Sequence, residues 1–395
     1  MILFLRGFSG VVRQSKKPVF ILFFVILLSV FSLAHAVSYE MSCNSGGMIS
    51  GGVALDDRAS GIQSNNNVVF DLTHGSGLLS NTSAQQAFND AAGLWSSFLL
   101  DDVTIKLDLD FAPLGGGVLG ETGSTQLYGD YDEVRDMVVD NHGETNNQRE
   151  ASLLPNMPTY NQFNAYGPEG FELDGNMSIS QANYHALGGA DPEFTGSDGS
   201  ITFSSDFSWD FDPSDGIDSG KYDFVGVAAH EIGHALGFIS DVDYIDSVLE
   251  TGEISDSVRP TPIDLFRFEK DDVLDAEFDF TTSARDMTPG GDDVFYFGDG
   301  FAELSTGIFA GDGRQASHWK DNLELGLMDP TASFGEMLSL SINDFIAMDL
   351  IGWEVDWQAA NEYIAGQSVP EPASVLLLAI GAIAIRRKRK TALFC

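Results

Sequence analysis

Apolar residues change their spacing twice between Val68 and Phe111. Val68 to Leu72 is a short apolar run that predicts a strand. Ser83 to Leu100 then repeats at three- and four-residue intervals, with Ala87, Phe88, Ala91, Leu94, Trp95, Phe98 and Leu99 on or near one side, which predicts an amphipathic helix. Val103 to Phe111 alternates with period two, the pattern of a half-buried strand. Ser200 to Phe211 alternates again, with Ile201, Phe203, Phe207, Trp209 and Phe211 between Ser and Asp residues, and predicts a further strand. Phe224, Val225, Val227, Ala228, Ile232, Ala235 and Leu236 fit a buried helix that Gly237 is placed to end. Ser341 and Asp344 form a capping box ahead of Ile342, Phe345, Ile346 and Leu350, which face inward from another helix. Gly115 to Gly120 satisfies G-x-G-x-x-G after a strand. Glu121 to Thr125 carries no helical apolar face behind it, so the expectation is a glycine-rich loop and not a nucleotide site.

The buried helix carries the chemistry. His230-Glu231-Ile232-Gly233-His234 is H-E-x-x-H, and on a helix side chains four apart lie on one face, so His230 and His234 can offer imidazole nitrogens to one tetrahedral ion. Glu231 lies beside that face, placed to take a proton from an attacking water and hand it to a leaving amine. Two histidines that only fill a helix are the plainer alternative.

A helix gives two protein ligands, so a third must come from elsewhere. In H-E-x-x-H-x-x-G-x-x-H, Gly237 takes the glycine place but the last place falls on Ser240, a poor ligand. Asp241 is one residue further, and His318 stands in Ser317-His318-Trp319, followed by Gly326-Leu327-Met328-Asp329-Pro330 and then Asp349-Leu350-Ile351-Gly352-Trp353. With these residues the chain resembles the leishmanolysin branch of the metzincin zinc peptidases over about residues 225–238 and 318–353. That resemblance implies an α+β fold with an N-terminal twisted sheet and an irregular C-terminal lobe, His318 as third ligand beyond a long insertion, and Met328 in a methionine turn beneath the zinc. It also suggests that Ser200 to Phe211 includes the edge strand that pairs with an extended substrate, with an ordinary sheet strand as the equal alternative. The chain departs from leishmanolysin in lacking its many cysteines, and Asp241 or an external carboxylate stays open as the third ligand. His74, His142 and His185 are expected on the surface or in loops.

Both ends of the chain speak of location. Arg6, Arg13, Lys16 and Lys17 precede the apolar run Val19 to Leu33 and the cleavage pattern Ala34-His35-Ala36, a secretory signal or, uncleaved, an anchor. Val369-Pro370-Glu371-Pro372, the apolar Ala373 to Ile385 and the basic run Arg386 to Lys390 resemble the PEP-CTERM sorting tag of Gram-negative bacteria, cut by an exosortase at the inner membrane. An ordinary C-terminal anchor with a positive-inside cluster is the alternative. The domain reading is 1–36 signal peptide, 37–237 N-terminal lobe with the zinc helix, 238–357 C-terminal lobe, 358–368 linker and 369–390 sorting signal.

Nine of the 20 Lys and Arg lie in those two ends, which leaves 11 against 59 Asp and Glu in the body. So acidic a chain excludes nucleic acid as an expected partner. Asp206 to Asp218, Asp241 to Asp246 and Asp292 to Asp299 offer oxygen ligands, so Ca2+ is a second candidate ion beside Zn2+; none matches an EF-hand loop, and solvated loops are the alternative. Cys43 and Cys395 are the only cysteines, and removal of the tail leaves Cys43 without a partner.

The expected protein is an exported or cell-surface zinc endopeptidase acting on protein or peptide substrates, with His230, His234 and His318 on the metal and Glu231 as base. A matrix-associated structural or adhesive protein with a non-catalytic zinc site is the competing expectation; an intact Glu231 counts against it. A zinc hydrolase acting on a non-peptide amide is the third.

Overall fold

The computed structural model describes residues 39–43, 67–141, 147–190, 194–252 and 256–367. The chain is α+β. Its main sheet holds β1 (Tyr39–Cys43), β2 (Val69–His74), β3 (Thr104–Ala112), β4 (Val118–Ser124), β5 (Gly199–Ser204) and β6 (Thr331–Ala332) in the order β6-β1-β4-β5-β3-β2. β2, β3 and β5 pair in parallel, β4 runs antiparallel to β5, and β1 is parallel to β4 and antiparallel to β6.

A parallel β2–β3 pair needs a crossover, and α1 (Thr82–Ser96) supplies it. Asn81 caps the helix by accepting the Ala84 amide, and Ala84, Ala87, Phe88, Ala91, Ala92 and Trp95 form its buried face. α2 (Phe224–Ala235), which carries His230, Glu231 and His234, packs against α1 and β4. Phe203 of β5 lies 4.4 Å from Phe224 and 5.0 Å from Phe88, ring centre to ring centre. Burying such a side chain contributes about 1.5–3 kcal/mol, so this aromatic cluster is a main anchor of the helix on the sheet.

The four periodic segments fold as predicted near their starts, and two readings are corrected. The strand beginning at Gly199 stops at Ser204, and Trp209–Asp210 instead makes a two-residue parallel ladder with Tyr222–Asp223. The Trp209 indole donates to the Ser204 carbonyl at 2.8 Å, which folds the chain back, and Trp209 and Phe211 pack on Phe224 at 5.2 and 4.9 Å. Alternation there reflects a shared aromatic core and not one continuous strand. β5 is also internal to the sheet, between β4 and β3, so it is no edge strand. The glycine-rich segment is a loop only at its start: Gly115 and Gly117 turn at φ +90° and +101°, and Val118 onward is β4.

Between Ser240 and Gly313 the inserted segment contains α3 (Asp241–Glu250) and a three-stranded antiparallel sheet of Arg267–Glu269, Asp293–Tyr296 and Phe301–Glu303. Fully buried Arg267 joins this sheet to the segment before His318: it pairs with Asp293 at 2.5 Å and donates to the Ser305 and Ala316 carbonyls at 2.7 and 3.1 Å. α4 (Ile342–Leu350) opens on the expected capping box of Ser341 and Asp344. His74 ends β2 and His185 sits in a short helix, Gln181–Ala186, 3.5 Å from Asp198; both are partly exposed, at the surface and not in loops, while His142 lies outside the described residues.

Residues up to Val355 form one compact unit, and a second begins at Asp356 with α5 (Trp357–Gln367). Among the described residues no helix is long and apolar enough to cross a membrane. The signal segment and the C-terminal apolar segment lie outside those residues.

Candidate metal centre

α2 begins at Asp223, whose carboxylate accepts the Gly226 amide at 2.9 Å and the Leu338 amide at 3.0 Å. It ends in a Schellman motif: Phe238 donates to the Gly233 carbonyl at 3.1 Å and Gly237, at φ +117°, donates to that of His234 at 3.1 Å. Two indoles hold it from the side, Trp95 on the Ala229 carbonyl at 2.8 Å and Trp353 on that of Leu236 at 2.9 Å.

His230, His234 and His318 converge, each fully buried. Their Nε2 atoms are separated by 3.0 Å (His230–His234), 3.1 Å (His234–His318) and 3.2 Å (His230–His318). Each Nδ1 faces a backbone carbonyl: Leu327 at 2.7 Å for His230, Phe238 at 2.8 Å for His234 and Gln315 at 3.2 Å for His318. With Nδ1–H donating outward, the three Nε2 lone pairs point at one another, an arrangement that a shared cation relieves. Three nitrogens about 2.0–2.1 Å from a tetrahedral zinc lie roughly 3.3 Å apart, close to the spacing found, so the donor set fits that ion. Burial lowers the pKa of all three rings, His234 to about 4, and the mutual repulsion of the rings lowers His230 and His318 further; at neutral pH they hold the uncharged form that binds metal.

His318 reaches this point because the insertion delivers it. Asp243 of α3 accepts the Ala316 amide at 2.5 Å and the Ser317 amide at 3.0 Å, and also the Ser317 hydroxyl. The His318 carbonyl accepts the Ser305 amide at 3.0 Å. Asp241, the other candidate ligand, is the first residue of α3; its Oδ2 accepts the Arg259 amide at 2.9 Å, and it is not among the converging groups. Ser240 caps α3 and donates to Asp264 at 2.6 Å.

Beneath the histidines, Gly326 to Asp329 turns tightly, and Met328 is fully buried against the helix. A Cβ on Gly233 would lie 2.5 Å from the Met328 sulfur, so the missing side chain is what admits the thioether. Asp344 orders this turn from α4. Its carboxylate accepts the Trp319 indole at 2.7 Å and the Leu327, Met328 and Ser341 amides at 2.8, 3.2 and 2.7 Å.

Glu231 is fully buried, and burial pushes its pKa up to about 8 against a hydrogen bond from Thr122, with the nearby Glu121 charge adding to the rise. Oε2 accepts the Thr122 hydroxyl at 2.6 Å, while Oε1 has no hydrogen-bond partner. Thr122 belongs to β4, whose face toward α2 carries Gly120, Thr122 and Ser124; the Ser124 hydroxyl donates to the His234 carbonyl at 3.1 Å. The sequence placed Gly120 in a glycine-rich loop and gave Thr122 and Ser124 no role, although small residues at every second place are the signal of a strand against which another backbone lies close. The three acidic runs engage neighbouring amides and cations: Asp210 accepts from Asp212 and Asp218, and Asp246 from Phe309 and Ala310.

No curated protein matches the chain. Residues 368–390 match the PEP-CTERM protein-sorting motif, which marks an exported protein sorted to the cell surface and recognised by an exosortase-type processing enzyme.

Proposed function

We propose that the chain is a zinc-dependent endopeptidase of the metzincin type, akin to leishmanolysin, exported by a Gram-negative bacterium and held briefly at its inner membrane by the C-terminal segment. The observation that carries this reading is the convergence of three lone-pair-bearing Nε2 atoms within 3.2 Å of one another, beside a buried glutamate with one unpartnered oxygen. When bound, zinc supplies a Lewis acid for a peptide carbonyl and a water acidified to a pKa of about 7.

The chain's own residues do the rest. His230, His234 and His318 hold the ion through Nε2 and are fixed in tautomer by the Leu327, Phe238 and Gln315 carbonyls. Glu231 takes the proton of the attacking water on Oε1 and delivers it to the departing amine. Met328 and Asp344 keep the floor rigid.

The test is zinc content and casein cleavage by the mature chain, beside Glu231→Ala and His318→Ala. Stoichiometric zinc with turnover lost in Glu231→Ala and metal lost in His318→Ala is the expected result. Zinc bound without turnover on any peptide points instead to the structural or adhesive protein, and full zinc retention in His318→Ala sends the third-ligand role back to Asp241.

A further inference from the structure

We infer that Thr122 is the positioning residue for Glu231, fixing one carboxylate oxygen so that the other is the one that moves protons; this rests on the peptidase reading above. A hydroxyl has one proton to give, and Thr122 Oγ1 has two acceptors in reach, Glu231 Oε2 at 2.6 Å and the Glu231 carbonyl at 3.1 Å. The shorter contact is the stronger of the two, so the proton goes to the side chain. Both residues are fully buried, so no water competes for that bond.

The neighbour two places along the strand completes the seat. Gly120 shares the β4 face with Thr122. A Cβ there would stand 2.8 Å from Glu231 Oε1, 3.1 Å from Cγ and 3.2 Å from Cδ. The strand thus withholds a side chain where the free oxygen sits and supplies a hydroxyl where the other oxygen is held. If Thr122 served only to satisfy its own hydroxyl, the Glu231 carbonyl would suffice and the side chain could rotate. Rotation would put either oxygen toward the reacting water and lose the fixed geometry that proton transfer needs.

The test compares Thr122→Val, which keeps the shape and removes the hydroxyl, with Thr122→Ser, which restores it, in the zinc-loaded mature chain. The readouts are kcat and KM on a peptide, zinc affinity by chelator competition, and calorimetric affinity for acetohydroxamic acid, a metal-binding acid that must give its proton to a nearby base. In Thr122→Val, kcat and hydroxamate affinity should each fall about 10- to 100-fold, with KM and zinc affinity within about threefold, and Thr122→Ser should recover both. Wild-type kcat and hydroxamate affinity in Thr122→Val would overturn the assignment, as would an equal loss in Thr122→Ser, which marks a strand-packing effect. If no variant and no wild type cleaves peptide, yet hydroxamate affinity separates Val from Ser as expected, the peptidase reading fails and the positioning role stands.

Discussion

Gly233→Ala puts one methyl group where the zinc helix meets Met328. On an exposed helix that change stabilises, by about 1 kcal/mol, because alanine is the better helix former. Here the new Cβ would stand 2.5 Å from the Met328 sulfur, 3.1 Å from its Cε and 3.4 Å from Trp95 Cζ2. Ordinary contact distance for such atoms is about 3.5–4.0 Å, so the thioether must retreat by more than an ångström. Met328 is fully buried and its backbone is held by Asp344, which leaves little room to retreat. Overpacking of this kind costs about 1–3 kcal/mol against a propensity gain of about 1 kcal/mol, so the expected net change is a loss of up to about 2 kcal/mol. The assay is urea unfolding followed by tryptophan fluorescence, in the wild-type and Met328→Ala backgrounds. With the sulfur gone, Gly233→Ala should turn from destabilising to neutral or stabilising, a coupling of about 1–3 kcal/mol. Equal effects in the two backgrounds, or a stabilised single variant, would refute the packing argument.

Asp344→Ala strips the partner from four donors, three of them around the methionine turn, and should cost more than about 3 kcal/mol in denaturant unfolding; a loss under about 1 kcal/mol contradicts the role given to this carboxylate. Asp243→Ala frees Ala316 and Ser317, and zinc affinity by competition should drop about 10- to 100-fold while the His230–His234 pair persists; unchanged affinity would mean that His318 is placed by other contacts. Burial pushes Asp101 up from 3.8 to about 7, so the folded chain binds a proton that the unfolded chain has lost, and its stability falls as pH rises from about 4 to 7. Asp101→Asn should therefore gain melting temperature relative to wild type across that window and hold a constant lead above it, worth at most about 4 kcal/mol; a lead that shrinks with rising pH would reverse the sign assigned.

The helix and its pair of histidines could be read from sequence because their signals are short. H-E-x-x-H is one helical turn, the Gly237 stop is a local backbone requirement, and the Ser341–Asp344 box spans a single turn. His318 was legible only through resemblance, since nothing local distinguishes a ligand 84 residues from its partner. β4 was passed over because its helix-facing side is Gly120, Thr122 and Ser124, with no apolar alternation to mark a strand. Its burial comes from a helix more than 100 residues later in the chain. Trp209 and Phe211 failed in the opposite direction: they alternate as a strand does, yet their partner is Phe224, and the ladder ends at Ser204, before either of them. Asp344 showed its capping role locally but not its three bonds to Trp319, Leu327 and Met328.

β1 lies between β4 and β6, pairing Glu40 with Val118 on one side and with Thr331 on the other. Those last two positions are roughly 290 residues apart, and pairings at such separation are the slow, late ones, because loop closure precedes any reward. During synthesis β1 emerges first among the described strands and β6 last. His230, His234 and His318 all precede Thr331 in the chain, so the three histidines are available to the fold while the sheet still lacks its closing strand. Gathering of the three histidines and closure of the sheet are thus separable events, and the first can precede the second.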